Sequence, residues 1–257
     1  MSPSGARELG RVFQNDEVVR NYRYRQPYPP ETFDVLDALL VEPRTVLDVG
    51  SGTGALTIGL ARFAVRVDAI DPSAAMLREA RSMPGAESER IRWTMGKAET
   101  AQLDPPYGLI TAGASIHWMD PDVVMPRFRD ALAPGGVLAI VNSESDYGKQ
   151  QWRDELIGVM QRFSPSTHHL EFADLVRSLE ASGHFTRIGA RTAAPVPYQQ
   201  SVDDYMAMLA STSSLSRSTL GDRANDFERD ARAILARHGV TRVRAHLVAE
   251  VVWGRPQ

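Results

Sequence analysis

The sequence predicts an α/β chain: a doubly wound, mostly parallel sheet of seven strands, with helices on both faces and a C-terminal helical cap. Three observations predict it. Short apolar runs alternate with helical periodicity over residues 45–142. A glycine-rich turn, VLDVGSGTG over Val46–Gly54, directly follows the first run. An aspartate, Asp71, closes the second run 21 residues after Gly50.

The elements follow in order. Thr45–Gly50 reads as a buried strand, and helical periodicity follows over Thr57–Phe63. Val65–Asp71 is the second strand; its helix opens at Asp71-Pro72-Ser73, with a capping residue and a proline near the first turn. Ile91–Met95 and Leu109–Ser115 are the third and fourth strands. Asp120-Pro121 starts a helix that runs to LAPGG, Leu132–Gly136, where glycines suit a helix end. Val137–Asn142 is the fifth strand. Parallel strands at this spacing need right-handed helical crossovers.

Beyond residue 142 the pattern changes. Tyr147–Phe163 and Glu171–Ser182 read as helices, broken by SPSTHH over 164–169. Ile188–Val196 reads as a strand, Val202–Ala210 as a short helix, Asp222–His238 as a charged amphipathic helix and Val243–Trp253 as a closing strand. No linker, repeat or low-complexity tract separates these parts, so the expectation is a single domain over 1–257.

Bulk properties narrow the function. The 257 residues are 43% hydrophobic and 24% charged, as in ordinary globular proteins. A net charge of −3 argues against a nucleic-acid binder. With no cysteine there is no disulfide frame, thiolate metal site or cysteine nucleophile. No apolar run approaches the ~18 residues of a membrane span, and 1–20 lacks a leader's hydrophobic core, so a cytoplasmic protein with no membrane partner is expected. Arg217, Arg223, Arg229, Arg232 and Arg237 alternate with Asp222, Asp226, Glu228 and Asp230, which reads as a solvated helix face. His168 and His169 are adjacent and make a poor metal pair, so no metal is expected.

The glycines imply that something lies close to the backbone. Gly50 ends the strand in a tight turn, Gly52 lets a ligand lie on the main chain, and Gly54 lets the helix pack close. Asp71 stands where an open sheet places a carboxylate for the two hydroxyls of an adenosine ribose. Dinucleotides and S-adenosyl-L-methionine both fit that arrangement. Asp48, one turn before the glycines, would repel a pyrophosphate and suits a ligand with an ammonium and a sulfonium.

VLDVGSGTG (Val46–Gly54), IDPSAAML (Ile70–Leu77), GKAE (Gly96–Glu99), SIHWMD (Ser115–Asp120) and LAPGG resemble the ordered motifs of class I S-adenosylmethionine-dependent methyltransferases, whose sheet is Rossmann-like. YRYRQPYP (Tyr22–Pro29) and the His-Trp pair resemble the small-molecule enzymes related to trans-aconitate methyltransferase. The resemblance implies N-terminal lid helices over 1–40, a cofactor-binding core over 41–142, and cap helices with closing strands over 143–257. It implies that Gly50, Ser51 and Gly52 line the methionine part of S-adenosyl-L-methionine, with Asp48 near its ammonium. Asp71 would hold the ribose, Pro72 or Met76 the adenine face, Ala98 and Glu99 the adenine edge, and Ser115 the carboxyl end. Tyr22, Arg25 and Tyr28 either touch cofactor and substrate or anchor their segment. Many relatives carry an acid just before the fourth strand, where this chain has Tyr107-Gly108.

Methyl transfer needs an acceptor held in line and water kept out. His117 is either the general base or part of the pocket wall, with Trp118 and Met119 on the substrate side or in the core. Trp152, Met160, Phe163, Phe172, Tyr205, Met206 and Met208 offer an apolar lining or ordinary core. The partner expected is a small-molecule substrate, with O- or N-methylation by a monomer or homodimer. A nicotinamide-dependent oxidoreductase and a cofactor-binding homologue that does not methylate (a regulatory partner or a cyclase) are the rival readings.

Overall fold

The computed structural model describes residues 11–164 and 171–257, so the expected break at 165–169, with His168 and His169, lies outside the described residues. In chain order the helices begin with α1 (Asp16–Asn21), α2 (Pro30–Leu39), α3 (Thr57–Leu60), α4 (Ala74–Arg81) and α5 (Pro121–Ala131). They continue with α6 (Gln151–Phe163), α7 (Phe172–Ala181), α8 (Val202–Ala210), α9 (Arg217–Leu220) and α10 (Ala224–Arg237). The strands are β1 (Thr45–Val49), β2 (Arg66–Asp71), β3 (Ile91–Met95), β4 (Tyr107–Gly113), β5 (Leu132–Asp146), β6 (Phe185–Thr192), β7 (Val196–Ser201) and β8 (Arg242–Pro256).

Contacts gather these elements into two compact units, each drawn from separate stretches. The sheet unit lies within Tyr28–Glu144, Leu170–Ala194 and Val248–Gln257. The helical unit lies within Met1–Pro27, Ser145–His169 and Pro195–Leu247. Each unit draws together stretches that are far apart in sequence.

The sheet unit has strand order β3-β2-β1-β4-β5-β8-β6. β3, β2, β1, β4 and β5 pair in parallel, and β6 runs antiparallel to the second half of β8. β1 lies between β2 and β4, so the connections diverge there and leave a crevice at the strands' carboxyl ends. All five residues of β1 are buried, as expected of a central parallel strand. One apolar core holds Leu47, Ile110, Phe128, Leu138 and Ile140; a second holds Leu36, Val46, Leu60, Val67 and Leu109.

The helical unit has its own core: Trp152, Leu156, Phe163, Tyr205, Met206, Met208 and Phe227 are all under one-tenth exposed. Of the cap residues expected as lining or core, these are core; Met160 packs against them, and Phe172 packs in the sheet unit. β7 pairs antiparallel with the first half of β8.

Several details differ from the sequence reading. α5 stops at Ala131 and LAPGG belongs to β5, where Leu132 pairs with Tyr107; the glycines serve a strand irregularity, with Gly135 at φ +83°, not a helix end. Among the described residues there are eight strands, because Ala193-Ala194-Pro195 interrupts the run expected over Ile188–Val196 and separates β6 from β7. α6 begins at Gln151, not Tyr147, after a turn in which the Gly148 N–H donates to Asp146 Oδ1 (2.8 Å) at φ +62°. β4 runs two residues earlier than read, over Tyr107–Gly113. In addition α3 ends at Leu60 rather than Phe63, and β5 runs on past Asn142 to Asp146. The two capping signals hold, with Ser73 accepting from the Met76 N–H at α4 and Asp120 capping α5 ahead of Pro121.

Candidate active site

The turn after β1 is built on backbone hydrogen bonds. Gly50 and Ser51 both donate their N–H to the Ile70 carbonyl, at 2.8 and 3.1 Å. Gly50 sits at φ +66°, and a Cβ there would lie 2.5 Å from that of Ser115, so only glycine fits. Gly52 also has positive φ (+55°), but a Cβ there would meet nothing within 4 Å. The main chain at Gly52 thus presents an open face, while Gly54 gives up its side-chain space to the Trp93 ring.

Asp71, at the end of β2, is 7% exposed and ties this turn to the next. Its Oδ2 accepts from the Gly52 N–H and its Oδ1 from the Ser73 N–H, both at 2.8 Å. Each oxygen keeps lone-pair capacity for a further donor. Burial raises its pKa, against the pull of those two backbone donors.

Asp48 lies inside β1 and is 1% exposed. The Thr57 hydroxyl donates to its Oδ2 (2.5 Å) and the Thr111 hydroxyl to its Oδ1 (2.8 Å). Burial pushes its pKa up to about 6; the threonine bonds oppose that rise and the charge of Asp71 adds to it. Ser51 Oγ is buried and has no hydrogen-bond partner among the described residues. An orphaned hydroxyl, an open backbone face and two buried carboxylates are what a polar, partly cationic ligand would satisfy.

The loop after β3 is held from two sides. The Gly96 N–H donates to the Asp71 carbonyl (3.0 Å), and Arg127 of α5 donates to the carbonyls of Ala98 (3.2 Å) and Ala101 (2.6 Å). Ala98 is buried, and Glu99 accepts from the Asp120 N–H through Oε1 (3.1 Å). Of the two adenine-face candidates, Pro72 is exposed and Met76 is buried at 3%. Met95, the ladder partner of Asp71, is 66% exposed and stands at the same sheet edge; the sequence reading missed it.

At the end of β4 the backbone turns through Ala114, at φ +47°. The Ser115 hydroxyl donates to the Val49 carbonyl (2.7 Å), so its proton is committed to backbone. Met119 packs on the sheet-unit core, with its Cε 3.5 Å from where a Cβ on Gly50 would lie. His117 is exposed in the turn Ile116–Trp118, its ring 4.5 Å from that of half-buried Trp118 at 48°. The Tyr28 hydroxyl comes within 2.8 Å of where a Cβ on Gly113 would lie.

The sheet unit therefore brings Asp48, the Gly50–Gly52 turn, Asp71, Ser115 and Met119 to the crevice at β1. Tyr22 and Arg25 belong to the helical unit. There the Arg25 guanidinium lies 4.2 Å over the Tyr22 ring and donates to Ser211 Oγ (2.9 Å) and the Ser211 carbonyl (3.1 Å).

Residues 46–136 match the family model described as "Methyltransferase domain". An uncharacterised methyltransferase of Mycobacterium tuberculosis is 36% identical over 125 residues, 48% of this chain and 49% of that one. The trans-aconitate 2-methyltransferase of Paracidovorax citrulli is 44% identical over 102 residues, 37% of each chain. The chain thus spans about half the length, or less, of these relatives. The structure of a candidate type II methyltransferase from Anaeromyxobacter dehalogenans superposes with a TM-score of 0.66 at 24% identity, covering 90% of this chain and 97% of that one. The sheet unit carries the methyltransferase fold. The resemblance read from the motifs is borne out, and the matched segment spans β1 to the start of β5.

Within this methyltransferase fold the sequence reading missed Thr57, Thr111 and Arg127. A hydroxyl in the otherwise apolar run of β4 was the available signal for Thr111. Arg127 left none, since it acts on carbonyls 26 and 29 residues away in sequence.

Proposed function

We propose that the chain is an S-adenosyl-L-methionine-dependent methyltransferase acting on a small molecule by in-line transfer to oxygen or nitrogen. The observation that carries this reading is the pairing of buried Asp71 with the open backbone at Gly52. When bound, the cofactor supplies an electrophilic methyl group on a sulfonium. Asp71 accepts the ribose hydroxyls on its remaining lone pairs, and Asp48 offers negative charge to the ammonium. Gly50, Ser51 and Gly52 line the amino-acid part, and the loop at Ala98 and Glu99, fixed by Arg127, meets the adenine edge beside Pro72 and Met95. His117 takes the proton of a hydroxyl or ammonium acceptor, while Tyr28, Trp118 and Met119 line the substrate side and limit water. A relative whose name carries trans-aconitate, a small molecule, supports the acceptor class.

The test is isothermal titration with S-adenosylhomocysteine, with NADH in parallel. Binding of the first alone is expected. Asp71→Ala weakens it by on the order of 2–4 kcal/mol, about 30- to 1000-fold in Kd. NADH binding, or an unchanged Kd in a folded Asp71→Ala protein, would overturn the reading. With an acceptor in hand, His117→Ala lowers turnover while leaving the Kd for S-adenosylhomocysteine unchanged.

A further inference from the structure

β1 is fully buried and carries one carboxylate; its other polar side chain, Thr45, donates to the Pro106 carbonyl (2.6 Å). Among the described residues no cation pairs with Asp48; its two oxygens are each met by one threonine hydroxyl, from α3 and from β4. Both threonines are 0% exposed. Valine has nearly the same shape and no hydroxyl to desolvate, so apolar packing alone favours valine at both positions. The hydroxyls are explained by the carboxylate between them.

We propose that Thr57 and Thr111 are positioning residues that clasp Asp48, holding its carboxylate charged and in one orientation for the cationic end of a ligand. The identity of that ligand rests on the methyl-transfer reading; the clasp itself does not. The two hydroxyls, one per oxygen, act with the Thr57 backbone N–H, which also donates to Asp48, and the carboxyl group cannot rotate without breaking these bonds. They also stabilise the ionised form over the neutral one, because a protonated oxygen no longer accepts its hydroxyl in the same way. Burial works in the opposite direction, as does the titratable group acting on Asp48, Asp71 on β2. Neither α3 nor β4 brings a titrating side chain to Asp48; each brings its threonine. With burial holding the Asp48 pKa at about 6, little separates the charged form from protonation at neutral pH. Loss of either hydroxyl tips that balance.

The experiment is a carboxyl-carbon NMR titration of the ligand-free protein, following Asp48 and Asp71 together because coupled carboxylates titrate as a pair. Thr111→Val is expected to raise the Asp48 midpoint by about one pH unit, Thr57→Val to do the same, and Thr111→Ser to restore the original value. Valine keeps the shape but drops the hydroxyl, so circular dichroism of each variant checks that it is folded, and Thr111→Ser supplies the variant that keeps the donor. A midpoint in both valine variants equal to that of the natural protein overturns the clasp. Calorimetry with S-adenosylhomocysteine adds the ligand arm. Affinity falls as pH drops through the Asp48 midpoint, falls from a higher pH in Thr111→Val, and shows no such step in Asp48→Asn. If S-adenosylhomocysteine binds none of these proteins, the methyl-transfer reading fails, and the carboxyl titration alone decides the clasp.

Discussion

In the sheet unit three carboxylates, Asp48, Asp68 and Asp71, are less than one-tenth exposed, whereas the described acids of the helical unit stand partly or wholly in solvent. There Asp203, Asp226, Glu228, Asp230 and Glu155 are paired with arginines. The buried polar groups of the helical unit are uncharged, among them Tyr205, Gln200 and Ser211. Asp68 has its own cation, Arg66 at 3.1 Å, and the Tyr107 hydroxyl at 2.8 Å, which suits a structural role. Among the described residues, the hydrogen-bond partners of Asp48 and Asp71 are hydroxyls and backbone N–H groups. Burying a charge without a counter-ion costs stability, so packing alone does not account for Asp48 and Asp71. The difference separates packing from chemistry: one unit is stabilised by its apolar core, and the other accepts a destabilising pair of acids at the sheet's carboxyl edge.

The largest effect expected from this contrast is in the helical core. Phe227 is 3% exposed and meets Phe163 edge-on, with centroids 5.7 Å apart. Phe227→Ala should cost about 3–5 kcal/mol in denaturant unfolding, and a loss under about 1 kcal/mol would mean that this core is not what stabilises the unit. The second effect has the opposite sign. The Asp48 pKa lies at about 6 in the fold against an ordinary 3.8, so between those values the native state holds the extra proton. Its contribution to stability therefore declines as pH rises from about 4 to 6 and stays low above that. Asp48→Asn should match the natural protein near pH 4 and exceed it at pH 8 by at most about 3 kcal/mol, while binding S-adenosylhomocysteine more weakly. Equal stability at pH 8 would show that the buried charge carries no cost.

Much of this was legible before the structure. β3 over Ile91–Met95 and α8 over Val202–Ala210 were read to the residue, because each is bounded by turn or capping residues and has a pattern of one period. The glycine turn and Asp71 were legible because their geometry is local: the Asp71 carboxylate reaches only 19 residues back to Gly52 and two forward to Ser73. LAPGG was misread because its glycines suit a helix end equally well; what decides is Leu132 pairing with Tyr107, a partner that the segment itself does not specify. The hydroxyl of Thr111 in an apolar run was a signal, but its role was not legible, because its partner Asp48 lies 63 residues away. For Tyr22 and Arg25 the sequence leaves cofactor contact and anchoring both open; in the structure Arg25 bonds to Ser211, 186 residues on. Long-range partners decide roles that spacing leaves open.

Two smaller effects sharpen the contrast further. Gly52→Ala puts a Cβ on a backbone at φ +55°, where strain alone costs about 1–2 kcal/mol, and the methyl group projects into open space rather than into protein. If that space receives a ligand, the loss in S-adenosylhomocysteine affinity should exceed the loss in stability; equal losses would leave the open face without a binding role. The smallest effect belongs to the helical unit's surface. Arg229 bonds Asp226 Oδ1 (2.5 Å) and Asp230 Oδ1 (3.1 Å), and those two carboxylates raise its pKa. Its side chain is 66% exposed, so water and salt screen both pairs, and holding the long side chain in place costs entropy. Arg229→Ala should leave the thermal midpoint where it was at physiological salt. A clear drop would mean that the arginine-acid lattice on α10 acts as a connected network, and that surface charge stabilises the helical unit alongside its apolar core.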